Sequence, residues 1–361
     1  MIKVAINGYG RIGRLAHRVV LERFTKDIDL VAVNAGSSTD IKGWMYLLKY
    51  DTSYGVLKNH LEIKEEGRGI GKLIVDGREI EFFAQKDPKK LPWKDLGIDV
   101  VIESTGAFET EEGLKMHLEA GARFVVLSAP VKEGDPSTGH STVSSDRIGS
   151  GQGVNTYVWS VNGEKYSGEK IISNASCTTN CITPVAKVMV DYFGIEKAMM
   201  STIHGYTSDQ RLQDGGHKDY RRARAAAENI VPTSTGATIA AAKALPELEG
   251  IFQGLAFRVP VPVGSLSDFT FVTKKNTTVE EVNSAFETES RSKRYDGTLQ
   301  VTRDPVVSSD IVGNPASAIV DLSLTQVVGG NLVKVVAWYD NEYGYANRLI
   351  EEVIMVGSKQ V

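Results

Sequence analysis

Both cysteines of the 361-residue chain fall in one short stretch, S-N-A-S-C-T-T-N-C, from Ser173 to Cys181. Four chemistries compete for Cys177 and Cys181: a metal clip, a disulfide, an inert core pair, or a nucleophile. A zinc site needs more ligands at recognisable spacing, and no second cysteine pair or histidine pair follows. No metal is expected. Ile182, Val185, Val188, Met189 and Tyr192 continue from Cys181 at helical spacing, so the cysteines belong on successive turns of one helix. A disulfide there would constrain little. Inert burial is the ordinary state of a free cysteine and suits Cys181. Cys177 differs, because the cap-forming Ser176, Thr178 and Thr179 surround it and put it at a helix N-terminus. A thiolate is stabilised there, and the thiol pKa is expected to fall below its free value of about 8.5. Pro184, one to two turns in, predicts a kink.

A thiolate nucleophile needs a base. Of six histidines, His204 stands at the end of the apolar run Met199 to Ile203, where a strand end presents a side chain at a domain boundary. The plain alternative is a hydrogen-bonded surface histidine, and spacing leaves both open. Basic and hydroxyl groups follow: Thr207, Lys218, Arg221, Arg222, Arg224, the T-S-T-G of Thr233 to Gly236, then Arg258. Arginine forks and hydroxyls suit phosphate oxygens. Taken by composition, though, Y-R-R-A-R reads first as a solvated or interface face.

At the other end of the chain, N-G-Y-G-R-I-G (7–13) holds G-x-G-x-x-G between a strand and a helix, the context that makes this motif a dinucleotide site. Gly8 permits the tight turn, Gly10 lets backbone approach a pyrophosphate, and Gly13 lets helix pack on strand. The helix N-terminus offers N–H groups to the phosphates. An NAD site expects an acid after the second strand, for the ribose hydroxyl. That strand ends L-V-A-V-N at Asn34, and Ala35, Gly36, Ser37 and Ser38 follow. A carboxylate would repel a 2′-phosphate; Ala35 does not, and the serines and the Gly36 N–H can donate to one. The pattern points to NADP, or to use of both cofactors.

These groups need elements to hold them. Ile2 to Asn7 reads as a strand, Arg11 to Arg23 as a helix and Leu30 to Asn34 as a strand. Asp99 to Glu103 and Arg123 to Leu127 are buried strands flanking a helix over Thr110 to Ala120. Near-continuous apolar strands with helices between them indicate a parallel sheet covered on both faces, and residues 55–85 add hairpins. A Ser/Gly-rich stretch over 134–153 reads as a mobile surface insertion. After Ser173, the runs Leu255 to Val261, Asp268 to Lys274 and Val333 to Trp338 alternate, as in a mostly antiparallel sheet. Glu280 to Arg291 and Asn341 to Val356 look helical.

Composition narrows the function. Hydrophobic residues make up 42% and the net charge is −4, so no basic face for nucleic acid or a membrane surface is expected. No apolar run is long enough to span a bilayer. The opening residues lack a signal-peptide pattern. Two cysteines are no disulfide framework, and a reducing, cytoplasmic setting is the simplest reading.

Taken together, the segments resemble the phosphorylating glyceraldehyde-3-phosphate dehydrogenase family. The resemblance runs through N-G-Y-G-R-I-G-R (7–14), L-L-K-Y-D-T (47–52), S-N-A-S-C-T-T-N-C (173–181), H-G-Y-T-S-D-Q (204–210), H-K-D-Y-R-R-A-R-A-A-A-E-N-I-V-P (217–232), F-R-V-P (257–260) and W-Y-D-N-E-Y-G-Y-A-N-R (338–348). It implies an α/β chain: a Rossmann-type NAD(P) domain over 1–173, a catalytic domain with a mostly antiparallel sheet over 174–340, and a C-terminal helix over 341–361 returning to the first domain. It implies that Cys177 attacks the aldehyde of glyceraldehyde 3-phosphate, that His204 is the base, and that inorganic phosphate releases 1,3-bisphosphoglycerate. Thr207 and Arg258 match the site for the substrate phosphate. Ser176, Thr178, Arg222, Thr235 and Gly236 match the inorganic-phosphate site. Arg11, Ile12, Lys86, Ser128 and Asn341 match cofactor contacts, beside Gly8, Gly10, Gly13, Asn34, Ala35 and Ser37. The family is homotetrameric. Three departures stand out: Ala35 in place of an acid, D-G-G-H (214–217) without the proline common before that histidine in NAD-preferring members, and the longer 134–153 stretch. Erythrose-4-phosphate dehydrogenase and a catalytically idle nicotinamide sensor are the rival readings.

Overall fold

The computed structural model describes residues 1–132 and 153–359. The insertion expected over 134–153 lies, but for Gly153, outside the described residues. The chain forms two compact units. The first comprises Met1–Tyr157, Lys165–Ala175 and Ala346–Val361; the second comprises Val158–Glu164 and Ser176–Tyr345.

The first unit is built on a nine-stranded sheet. Its order is Asn155–Thr156, Ile171–Ser173, Phe124–Leu127, Val100–Glu103, Ile2–Asn7, Ile28–Asn34, Arg78–Phe83, Gly71–Val75, Leu61–Lys64. The strands from Asn155–Thr156 through Arg78–Phe83 are parallel, and the last two join as antiparallel hairpins. Asp76 and Gly77 both have positive φ, 47° and 81°, the mirror-image turn that suits a right-twisted two-residue hairpin. Strand order reverses at Ile2–Asn7, whose neighbours are Ile28–Asn34 on one side and Val100–Glu103 on the other. In open α/β sheets that crevice, outside the carboxyl ends of the strands, is where ligands bind. The expected helices form as Arg11–Arg23 and Glu111–Glu119, the latter capped by the Thr110 hydroxyl on the Gly113 N–H. Helix Ile41–Lys49 escaped the sequence reading, although Ile41, Trp44, Met45 and Leu48 stand at helical spacing behind the Asp40 cap; of these Ile41 and Leu48 are buried.

The second unit carries an eight-stranded sheet in the order Val231–Ser234, Phe252–Val259, Ile195–Gly205, Ser265–Thr273, Leu332–Tyr339, Ala318–Asp321, Leu299–Thr302, with Gln326–Val328 also on Leu332–Tyr339. It is mostly antiparallel, with two parallel pairs. One face buries a core of Ile182, Val185, Met189, Phe269, Phe271 and Phe286 with helices Cys177–Phe193, Ala237–Ala244 and Val279–Glu289. Strand parity decides which residues join it. From Ala198 to His204 the buried set is Ala198, Met200, Thr202 and His204, while Met199 points out, 63% exposed.

Candidate active site

Cys177 opens helix Cys177–Phe193. Ser176 is its N-cap, with Oγ accepting from the Thr179 N–H at 3.1 Å. The turn before it holds Ala175 at φ +55°, a left-handed conformation that non-glycine residues adopt rarely and mostly at constrained sites. Cys181 sits one turn along, fully buried, its thiol pushed far up by desolvation. Tyr192 breaks the expected apolar stripe and turns outward to Glu289 at 2.8 Å.

The parity that buries His204 aims it at the cysteine. His204 Nε2 lies 3.4 Å from Cys177 Sγ. Its Nδ1 lies 2.6 Å from the Gly205 carbonyl and donates to it, which leaves the Nε2 lone pair facing the sulfur. Arg258 is the register partner of His204 on the adjacent parallel strand. Its Nη1 presses against Nδ1 and donates to Gly205 O at 3.3 Å. Burial, reinforced by the Arg258 charge, holds His204 down at about 3. Burial pushes the Cys177 thiol up, opposed by Arg258 and by Thr178. The helix N-terminus and Arg258 favour thiolate, and lost hydration acts against them at a side chain that is only half-buried.

Tyr339, Thr202 and Ser265, which the sequence reading passed over, join residues it named in holding this pair. Tyr339 OH bridges Thr178 Oγ1 at 3.1 Å and Thr202 Oγ1 at 2.8 Å, and its ring meets the His204 ring edge-on at 6.0 Å. Asn341 Oδ1 accepts from Ser265 Oγ at 2.9 Å and from the Gly264 N–H at 3.1 Å, so its amide nitrogen remains as a donor. Ser265 Oγ in turn accepts from the Gly205 N–H at 3.2 Å. Gly236 is the N-cap of helix Ala237–Ala244, and Thr179 Oγ1 reaches Ala237 O at 3.4 Å. Two helix N-termini thus meet beside Ser176, Thr178, Thr235 and Gly236, an arrangement suited to an anion. Arg222 is held on Thr233 Oγ1 at 2.8 Å and on Asp209 at 2.6 Å. The N–H of Thr207 bonds Gln210 Oε1 at 3.3 Å. No alternating signal would have found Tyr339 or Ser265, since each looks like an ordinary strand residue.

In the first unit, the glycine turn divides its labour. Gly8 has φ +101°, and a Cβ on it would lie 2.6 Å from the Ser104 carbonyl carbon. A Cβ on Gly13 would lie 2.1 Å from Gly8 O, so helix and turn are in close contact. Among the described residues, no atom lies within 4 Å of such a Cβ on Gly10, and no side chain caps the helix there. This open, uncapped helix start fits a pyrophosphate. The Arg11 side chain pairs with Asp51 at 2.9 Å, leaving its backbone and that of Ile12 at the opening. Ala35 and Ser37 lie on the turn after Asn34, Lys86 is exposed, and the Ser128 N–H bonds Glu103 O at 2.9 Å.

An open sheet with a glycine-rich switch-point turn, together with a unit carrying a paired cysteine and histidine, defines a dinucleotide-binding oxidoreductase. Comparison with known proteins narrows this class. Residues 2–111 match the family described as glyceraldehyde 3-phosphate dehydrogenase, NAD binding domain, and residues 176–341 match the C-terminal domain of the same family. The chain is 45% identical over 360 residues to a glyceraldehyde-3-phosphate dehydrogenase of Streptomyces coelicolor, with 99% of each chain covered. It is 47% identical over 357 residues to the enzyme of that name from Clostridium pasteurianum, with 97% of each covered. It is also 47% identical over 352 residues to that from Thermotoga maritima, with 97% of this chain and 98% of the other covered. The chain belongs to the glyceraldehyde-3-phosphate dehydrogenase family.

Proposed function

We propose that this protein catalyses the reversible, phosphate-dependent oxidation of glyceraldehyde 3-phosphate to 1,3-bisphosphoglycerate. The observation that carries the reading is the 3.4 Å pairing of Cys177 Sγ with His204 Nε2 at a helix N-terminus, beside Arg258. His204 takes the thiol proton as the sulfur attacks the aldehyde carbon; the C–S bond forms as the C=O π bond opens, and His204 returns that proton to the oxygen, giving the hydroxyl of a thiohemiacetal. The bound dinucleotide supplies one thing, acceptance of the hydride from that carbon. His204 takes the hydroxyl proton as the thioester forms. Phosphate oxygen then attacks the thioester carbon, the C–S bond breaks, and the sulfur leaves as thiolate. Thr207 and Arg258 bind the substrate phosphate; Ser176, Thr178, Arg222, Thr235 and Gly236 bind the inorganic one. Burial first, and the Arg258 charge second, hold His204 at a low pKa; a dianion arriving on Arg258 cancels the second of these and makes the base stronger. Asn341 is a donor suited to the nicotinamide carboxamide.

NADP, or both cofactors, is the preference that the ribose-side turn favours. Ala35 carries no charge, and Ser37 is exposed. The Trp44 indole N–H donates to Ser38 Oγ at 3.0 Å, which occupies a lone pair and leaves the hydroxyl proton to donate outward. An NADP-linked enzyme would suit gluconeogenesis or carbon fixation; an NAD-linked one, glycolysis. The protein works in the cytoplasm as a homotetramer. The outward face of the second unit's sheet supports assembly, with Met199 63%, Leu255 42% and Leu332 41% exposed.

The test is the initial rate with glyceraldehyde 3-phosphate, with and without inorganic phosphate, using NADP and NAD in parallel. Turnover that requires phosphate is expected. Turnover indifferent to phosphate means that water resolves the thioester, and the phosphorylating reading falls in favour of an erythrose-4-phosphate type.

A further inference from the structure

A charged group lies buried at the carboxyl edge of the nine-stranded sheet. Glu103, the last residue of Val100–Glu103, is 0% exposed, and so is His117 on helix Glu111–Glu119. Glu103 Oε1 accepts from the N–H and the hydroxyl of Thr105. Its Oε2 accepts from His117 Nε2 at 2.9 Å and from Asn7 Nδ2 at 2.5 Å. Four donors converge on two oxygens, which leaves no place for a carboxyl proton.

Both ends of the chain fix the direction of its bonds. Trp93 Nε1, a donor only, gives its proton to His117 Nδ1 at 3.1 Å. The neutral ring therefore carries its proton on Nε2, aimed at Glu103. At the other end, the Gln85 N–H donates to Asn34 Oδ1 at 2.9 Å, and Asn34 Nδ2 donates to Gln85 O at 2.8 Å and to Asn7 Oδ1 at 2.6 Å. That leaves Asn7 Nδ2 to face the carboxylate. The 3.4 Å approach of Asn7 Nδ2 to His117 Nε2 joins two donors and is not a hydrogen bond.

Each polar link ends on a turn that follows a strand of the sheet. Asn7 leads into Gly8 and Gly10, Asn34 into Ala35 and Ser38, Gln85 into Lys86, and Glu103 into Ser104 to Gly106. Gly8 is wedged against the last of these, and Ser104 Oγ donates to Gly8 O at 2.7 Å. A buried charge is weak evidence of stabilisation, because apolar packing holds a sheet as well or better. What this charge does that packing cannot is tie four turns to one point with directional bonds.

We propose that Glu103 and His117 are positioning residues of the dinucleotide site, holding the glycine turn and the ribose-side turn in the geometry that binds NAD(P). The proposal rests on the reading of the first unit as an NAD(P) site. The experiment compares His117→Leu with His117→Gln, whose amide accepts from Trp93 and donates to Glu103. Dissociation constants for NAD and NADP are read by titration calorimetry, with circular dichroism to confirm folding and kcat at saturating cofactor alongside. His117→Leu weakens binding of whichever dinucleotide the wild type binds by about tenfold, as expected for losing one or two buried hydrogen bonds. His117→Gln stays within about threefold, and kcat changes little in either. Wild-type affinity in folded His117→Leu overturns the proposal, as does equal weakening in both variants. Should His117→Leu fail to fold, Glu103→Gln takes its place, with the same expected weakening and the same overturning result. A wild-type protein that binds neither dinucleotide refutes the underlying reading instead.

Discussion

Glu352 offers a test in which burial alone sets the outcome. It lies in the C-terminal helix Tyr343–Gly357, is 0% exposed, and neither carboxyl oxygen has a hydrogen-bond partner among the described residues. The charges acting on it are Glu351, which opposes its ionisation, and Arg348, which favours it. Arg348 Nη2 is engaged by Glu351 Oε1 at 2.6 Å. Desolvation leads, and the carboxyl is raised well above its ordinary 4.5. An acid with a raised folded-state pKa favours folding in its protonated form. That contribution is full below the unfolded value and drains away as pH rises towards the folded one. At about pH 7.5, roughly three units above the unfolded value, the cost reaches at most about 4 kcal/mol, at about 1.4 kcal/mol per unit. Glu352→Leu, which also removes two unpartnered oxygens, is expected to stabilise by about 2–4 kcal/mol at that pH, or roughly 3–5 °C in Tm for a chain of this length. The assay is thermal unfolding of wild type, Glu352→Leu and Glu352→Gln from pH 5 to 8. The gap between wild type and the non-ionising Gln variant should be small at pH 5 and widen with rising pH. Parallel curves for these two across that range would refute the reasoning.

Three further outcomes follow from the site. His204→Asn leaves no acceptor facing the thiol, so kcat/KM should fall by about 10²–10⁴, with dinucleotide affinity kept; steady-state kinetics and calorimetry check this, and near-normal turnover removes His204 as base. Cys177→Ser should abolish oxidation, and iodoacetamide should label Cys177 but not the buried Cys181, as read by peptide mass; labelling of Cys181 in the folded protein would contradict its burial. Ala35→Asp should lower the NADP/NAD ratio of kcat/KM by about 10-fold to 100-fold through repulsion of the 2′-phosphate, and Trp44→Phe by about threefold through release of Ser38. An unchanged ratio in both variants would separate cofactor preference from this turn.

Local chemistry was legible without coordinates. The glycine turn, the start of a helix at Cys177 and the parallel-then-antiparallel division of strands all follow from periodicity and cap residues that act over a few positions. Helix Ile41–Lys49 was legible too, from Ile41, Trp44, Met45 and Leu48 at helical spacing behind the Asp40 cap, though the short run was passed over. The pairing of Cys177 with His204, 27 residues away, came only from the family resemblance, and that of His204 with Arg258, 54 residues away, was not legible, since strand register and parity place them. The balance at the thiol was not legible for the same reason: a helix N-terminus is a local property, whereas desolvation depends on everything packed around the sulfur. Glu103, Asn7 and His117 read as a strand end, a strand end and a helix residue, and only the sheet order brings them together. Sequence determined what each short segment is; the tertiary structure decided which segments meet, and with that which side chains lose water and which gain a partner.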